Sequence, residues 1–195
     1  MVAALFTSVE AAGIDLGLVA GFTVPNESQQ LIVDGKNAAS EVGDDVLGLE
    51  VRVDNLVFGT FAIASYAVAG LFGEVSGGNQ LSVRSHYLTL GLGGSWKIAR
   101  GQVDGHIGAV YVNDDFTVER SGERQPTFGS SDIGVGFGVR VAAPMSETVA
   151  ISLNYGLVGR SVDDLSGTFP DGSNYVMSRG GIDHFFLAGV SVRLK

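Results

Sequence analysis

The sequence predicts an all-β fold: an up-and-down antiparallel barrel of eight strands that crosses a membrane. Three observations predict it: segments that alternate between apolar and polar or small residues, connections that alternate between short and long, and an unusual composition. Hydrophobic residues make up 45% of the 195 residues and charged residues only 17%, with a mean hydropathy of +0.28. Most of the apolar residues are nevertheless spaced apart, which suits strands that send alternate side chains to lipid and to a lumen.

Residues 183–195 show the pattern that the other strands repeat. Successive side chains of a strand point to opposite faces, and one set here, from Phe186 through Val190 to Leu194, is wholly apolar. The other set starts with Phe185, passes through small residues and ends in charged ones. A tilted strand of this length covers roughly 25 Å, the height of the apolar band of a membrane barrel. We therefore interpret this stretch as the closing strand.

Seven earlier segments repeat the alternation. In residues 132–142, for example, Ile133, Val135 and Phe137 alternate with glycines. Short turns follow the second, fourth and sixth segments and longer loops follow the others, as an up-and-down barrel with both termini on one side requires. The predicted strands lie in residues 13–24, 46–54, 56–73, 81–98, 101–118, 132–142, 149–158 and 183–195, and the long loops in 25–43, 74–80, 119–130 and 161–180.

Residues 56–73 contain no charged residue, so a transmembrane helix is an alternative for this segment. Two arguments favour a strand. The segment contains several Gly, Ser and Thr residues, and a lone helix would leave the alternating segments on either side without a partner sheet. If the turn at Asp54 and Asn55 keeps the parity of the strand before it, Phe61 and Ile63 face inward.

Taken together, the alternation, the loop parity and the terminal strand resemble the small bacterial outer-membrane β-barrels of the eight-stranded OmpA/OmpX type. Members usually end in an aromatic residue preceded by apolar residues at every second position. Here Val190 and Val192 fit that pattern, whereas Leu194 stands where the aromatic would be and Lys195 follows it. The resemblance implies a Gram-negative outer-membrane location, with the short turns in the periplasm and the long loops outside the cell.

Such a protein must be exported. Residues 1–12 form an N-terminal segment ahead of the barrel, which is assigned to residues 13–195. The segment has no basic region before its short apolar run, unlike a signal peptide. We interpret it as the start of a mature sequence with an added Met, the alternative being a remnant of a signal after a misplaced start.

Ionisable residues at inward-facing positions gather near the periplasmic ends of the predicted strands. Both acids and bases are present, so they predict an ion-pair network that plugs the lumen. A gated conduit or a proton-linked path is the alternative. The network comprises Asp15, Glu50, Arg52, Asp54, Lys97, Asp104, His106, Arg140 and Arg193.

Toward the outer end the inward set becomes apolar. Ordinary packing of a narrow lumen explains it, and the alternative is a pocket for an acyl chain or another apolar ligand. The pocket would be lined by Phe61, Ile63, Leu71, Val110, Val158, Phe185 and Leu187.

The outward face and the outer loops predict the partners. Aromatic residues should lie at the two membrane interfaces, namely Phe22, Phe58, Phe72, Trp96 and Phe186. The expected partners are outer-membrane lipid and lipopolysaccharide, together with another envelope or host protein that contacts the loops. A net charge of −9 argues against nucleic acid as a partner. The outer loops carry Asp34, Glu41, Asp44, Asp45, Asp114, Asp115, Asp163, Asp164 and Asp171, which are expected to be solvated or to bridge to lipopolysaccharide through divalent cations.

The sequence predicts no catalysis, no metal site and no cofactor. There is no Cys, the three His residues lack metal-site spacing, and Ser85, His86 and Glu74 form the only local hydrolase-like set. Interior glycines are interpreted as space for large side chains across a narrow lumen. The predicted function is that of a plugged barrel that acts through its outer loops. The alternatives are a narrow pore or hydrophobic-ligand barrel, a soluble lipocalin-like carrier and, last, a lipid-modifying enzyme.

Overall fold

A computed structural model shows a closed antiparallel β-barrel. It describes residues 13–25, 29–41, 44–56, 59–70, 79–120, 123–124, 128–168 and 172–194. The N-terminal segment 1–12 and the predicted loop positions 74–78 lie outside these residues. The strands are β1 (Ile14–Pro25), β2 (Gln29–Val33), β3 (Lys36–Glu41), β4 (Asp44–Asp54), β5 (Thr60–Ala69), β6 (Asn79–Ile98), β7 (Gly101–Arg120), β8 (Glu123–Arg124), β9 (Phe128–Pro144), β10 (Val149–Thr168) and β11 (Asn174–Leu194).

Eight of the described strands close the barrel, in the order β1, β4, β5, β6, β7, β9, β10, β11 and back to β1. The closing pair runs along the whole of β1, from Ile14 opposite Leu194 to Pro25 opposite Asp183. Because the barrel is closed, every barrel strand forms backbone hydrogen bonds with a neighbour on each side. A sheet surrounded by lipid requires this, because an unpaired backbone group there is very costly. The predicted fold class and strand number are confirmed.

Side chains alternate along each barrel strand as the sequence predicts. The apolar set points outward, so that Leu90, Phe137 and Val190 are 60%, 52% and 49% exposed. Charged side chains such as Arg52 and Asp104 are enclosed, each 1% exposed. A water-soluble barrel has polar side chains outside and apolar side chains inside. The soluble lipocalin-like carrier is therefore rejected.

The helix alternative for residues 56–73 is also rejected, because β5 pairs with β4 on one side and with β6 on the other. No helix in the described part of the chain is long and apolar enough to cross a membrane.

The strands extend further at the outer end than the sequence predicts. Residues 25–43, predicted to be a loop, contain the β2–β3 hairpin, and β2 pairs with β11 through Val33 opposite Tyr175. The predicted loop at 161–180 is mostly strand, because β10 continues to Thr168 and β11 begins at Asn174. His86 and His184 therefore lie well inside β6 and β11. Beyond the membrane neither face meets lipid, so backbone pairing continues without the apolar alternation that reveals a strand.

Candidate functional site: the closed lumen

An inner cluster of polar side chains crosses the lumen near the short turns. We define it as Arg52, Asp54, Ser95, Gln102 and Asp104. The guanidinium of Arg52 donates to both carboxylate oxygens of Asp104, to Asp54 Oδ1 at 2.5 Å and to Ser95 Oγ at 2.7 Å. Gln102 Nε2 donates to Asp104 Oδ1 at 2.7 Å. The Arg52 and Asp104 side chains are 2% and 1% exposed, so their charges are compensated by each other rather than by water.

Two further arginines flank this cluster. Arg140 donates to Ser191 Oγ at 2.9 Å, and its Nη1 lies 3.6 Å from Asp104 and 3.9 Å from Glu50. Arg193 holds Asp15 through two hydrogen bonds of 2.8 and 3.0 Å. Arg193 also donates to Asp54 Oδ2 at 2.5 Å, which links it to the inner cluster.

The two remaining residues of the predicted network, Lys97 and His106, lie outside the inner cluster. Lys97 is exposed at the inner mouth of the barrel. The His106 ring packs edge-on against Phe61, with centroids 6.4 Å apart, and the Arg52 guanidinium lies over the Phe61 ring at 3.8 Å from its centroid. A Cβ on Gly138 would lie 2.1 Å from the His106 ring, and one on Gly93 would lie 2.4 Å from Phe61. These glycines provide the space that the two rings occupy.

A small cavity lies outward of the inner cluster. Its volume is about 100 Å³, and its polar side includes Glu50, Arg140, His106 and Asn154. Asn154 Oδ1 is buried there and accepts no hydrogen bond from the residues that the structure describes. The volume suits a few water molecules and is below the range of about 300–1,000 Å³ that is usual for ligand pockets.

An apolar layer closes this cavity on its outer side. It contains four of the residues predicted to line a pocket, and Phe61 and Ile63 lie at the cavity wall below it. Leu71 lies outside the described residues. The layer consists of Val46, Ala69, Tyr87, Val110, Val112, Val158 and Phe185, with Ala67 and Leu187 packed against it.

A second set of buried charges lies further outward, which the sequence does not predict. We call it the outer cluster: Tyr87, Asp114, Arg160 and Asp183. Arg160 Nη1 donates to Asp114 Oδ2 at 2.6 Å, Arg160 Nε lies 3.3 Å from Asp183 Oδ2, and the Tyr87 hydroxyl donates to the same oxygen at 3.1 Å. The prediction that Asp114 is a loop acid is wrong, because it is fully buried. Every second residue of β7 from Asp104 onward faces the lumen, and this series includes Asp114. The alternation would therefore have indicated that Asp114 is buried.

Apolar side chains cover the outer cluster in turn. Phe116 is the next lumen-facing residue of β7 after Asp114, toward the outer end, and it lies opposite Val83 on β6. Met177 lies on β11, nearer the outer end than the level of Arg160. All three are 0% exposed. The lumen is therefore closed at several levels.

On the lipid face, aromatic side chains lie toward both ends of the barrel. Phe22 and Phe186 stack across β1 and β11 with centroids 5.3 Å apart, and Trp96 is 60% exposed close to the inner turn. Phe58 and Phe72 lie outside the described residues. Sequence reasoning missed two hydrogen-bonded pairs, Tyr66 with His86 at 2.7 Å and Tyr155 with His184 at 2.9 Å.

The hydrolase-like set that the sequence suggested does not form between its two described members, Ser85 and His86. Ser85 faces the lumen and is 2% exposed, whereas His86 lies on the opposite, lipid-facing side of β6, so the two cannot act together. Glu74 lies outside the described residues. The described residues also contain no group of three or more side chains placed to hold a metal ion.

No protein-family model and no curated protein matches this chain. Among solved structures, a major outer membrane protein of Thermus thermophilus has a TM-score of 0.68 at 14% identity, over 95% of this chain and 100% of that one. OprG of Pseudomonas aeruginosa has a TM-score of 0.57 at 13% identity, over 94% and 97%. Neisserial surface protein A has 0.51 at 11% identity, over 95% and 100%. At these identities the likeness establishes the fold alone, that of small outer-membrane β-barrels.

The closed wall and the exposed apolar belt agree with this fold. Strands cross a membrane only when their backbone is fully paired and their outer face is apolar. The chain is an integral protein of a bacterial outer membrane, as its sequence predicts.

Proposed function

We propose that this protein is a non-conducting barrel that acts through its outer surface, as a structural and surface-interaction component of the outer membrane. The observation that carries the proposal is the closed lumen. A solute that crossed it would have to separate Arg52 from Asp104, pass the apolar layer, and then separate Arg160 from Asp114. Each separation would leave a charge buried without its partner, at a cost of several kcal/mol.

The outer end supports the second half of the proposal. Strands β10 and β11 continue past Arg160 and Gly181, and the β2–β3 hairpin extends their sheet. Asp34 fixes that hairpin to β11, because its carboxylate accepts a hydrogen bond from the Asn174 N–H at 2.9 Å. A sheet of this kind offers a more ordered contact surface than a flexible loop. Its proposed partners are lipopolysaccharide and another envelope or host protein.

The closure is tested by single-channel recording. The purified protein is inserted into planar bilayers beside a general porin as a positive control. We expect no stepwise current from the wild type. Stepwise openings at modest voltage would contradict the closure.

The surface role is tested on cells. Residues 29–41 are replaced by a short Gly-Ser turn, and cells that display the wild type or this variant at equal levels are compared for adhesion to one another and to protein-coated surfaces. We expect the variant to keep its heat stability and to lose adhesion. Equal adhesion by cells with the wild type, the variant and no barrel at all would refute the surface role.

A further inference from the structure

The small cavity between the inner cluster and the apolar layer is lined by polar side chains that neither of these groups pairs. Five of them make no hydrogen bond within the part of the chain that the structure describes, and the Oδ1 atom of Asn154 is buried. A buried polar group without a hydrogen bond is costly, so the cavity suits an occupant that both donates and accepts hydrogen bonds. The five side chains are Glu50, Ser65, Thr89, His106 and Asn154.

We propose that this cavity holds a cluster of ordered water that hydrogen-bonds the five side chains, bridges Glu50 to Arg140 and exchanges with the periplasm past Arg140. The volume of about 100 Å³ has room for roughly three to six water molecules. Two carboxylates, Glu50 and Asp104, and two guanidinium groups, Arg52 and Arg140, line the cavity. These charges balance, so the occupant is water rather than an ion.

The bridge between Arg140 and Glu50 is the part of the cluster that the distances indicate most directly. Arg140 Nη1 lies 3.9 Å from Glu50 Oε1, which is too long for a direct hydrogen bond. The Nη2 atom of Arg140 is held by Ser191. A water molecule that bridges two polar groups is nearly as favourable as a direct hydrogen bond. One water molecule between the two side chains would accept from Arg140 and donate to Glu50.

The two ends of the cavity differ. On the outer side the apolar layer closes it, with Val112 among the residues of that layer. On the inner side lies a second cavity of about 590 Å³, at the inner mouth of the barrel between the β6–β7 and β9–β10 turns. Among the described residues Arg140 alone lines both cavities, so its side chain separates the cluster from the periplasm. The barrier to water in the lumen is then the apolar layer, rather than the ion pairs of the inner cluster.

Nuclear Overhauser transfer from water to methyl groups tests the cluster on the full-length, methyl-labelled protein in detergent micelles. The methyl groups of Ile63, at the cavity wall, are compared with those of Val112, in the apolar layer. We expect transfer to Ile63 and none to Val112. The water cluster is overturned if Ile63 receives no transfer, and the barrier is overturned if Val112 receives as much as Ile63.

The stability of Thr89→Val is an independent readout, because a hydrated and a dry cavity predict opposite signs. If the hydroxyl binds water, its loss should raise the equilibrium constant of unfolding by about two- to tenfold. In a dry cavity the hydroxyl lacks a partner, so its removal would stabilise the protein. A Thr89→Val protein at least as stable as the wild type therefore contradicts the proposal.

The route past Arg140 is tested by the exchange of the Asn154 side-chain amide protons with water, followed by saturation transfer. Arg140→Met should speed this exchange several-fold. Lys97→Met is the matched control, because Lys97 lines only the cavity at the inner mouth, and it should leave the rate unchanged. If Arg140→Met does not fold, Ser191→Ala releases the same guanidinium and should act in the same direction. The route is refuted if the rate stays at the wild-type value, or if Lys97→Met raises it equally.

Discussion

Replacing Arg52 by Met should destabilise the barrel by about 3 kcal/mol. Breaking a buried ion pair from one side costs about 3 to 5 kcal/mol, because the remaining charge stays buried. We expect the lower end of that range here. Asp104 keeps Gln102 at 2.7 Å and Asp54 keeps Arg193 at 2.5 Å, so neither carboxylate loses every donor. A change of this size shifts the unfolding equilibrium by more than about a hundredfold.

The measurement is reversible urea unfolding in lipid vesicles, followed by the fluorescence of Trp96, the single tryptophan. Asp104→Asn supplies the second arm of a double-mutant cycle. Because a neutral amide costs less to bury than an unpaired carboxylate, it should restore about 1 kcal/mol or more to the Arg52→Met protein while it destabilises the wild type. Arg84→Met is the control and should change stability little, because Arg84 is exposed on the outer part of β6. If Arg52→Met stays within about 0.5 kcal/mol of the wild type, or Asp104→Asn has the same effect in both backgrounds, the inner cluster is not a coupled network.

Three further changes probe the other levels of the lumen by the same unfolding measurement. Gly138→Ala should cost about 1 to 3 kcal/mol, because the new methyl meets the His106 ring, and a second change of His106→Ala should recover much of that loss. Arg160→Met should cost about 3 to 5 kcal/mol, because it leaves Asp114 buried beside Asp183. Phe116→Ala should cost about 3 kcal/mol or more through the space that the ring vacates.

Each of these changes has an outcome that would contradict its reasoning. A Gly138→Ala protein that His106→Ala fails to rescue would place the strain elsewhere. A neutral Arg160→Met would mean that the outer cluster is open to water, and a neutral Phe116→Ala would mean that this ring is not packed in the closed lumen.

The sequence predicted which residues form the barrel wall better than it predicted the side-chain contacts inside the lumen. Lipid imposes one rule on every outward position, so alternation alone places Leu90, Phe137 and Val190 on the outside. The lumen follows no such rule. Its charges pair across strands that are distant in sequence, as Arg52 and Asp104 are on β4 and β7, and these partners depend on the stagger of the strands.

The outer cluster illustrates the same limit. Arg160 lies at the end of an apolar run, where a sequence suggests a loop, and Asp114 was counted among the loop acids although it lies within a predicted strand. The two strands bring their side chains within 2.6 Å of each other.

By itself, the sequence determined the class of the protein: a membrane barrel of eight strands with its apolar face outward, because a two-residue period and the parity of the connections are local properties of the chain. Only the tertiary structure decided how far the strands extend beyond the membrane, that the lumen is closed at several levels, and that a cavity of about 590 Å³ remains open at the inner end. Those features depend on strand register around a closed circle, and register is fixed by all eight strands together.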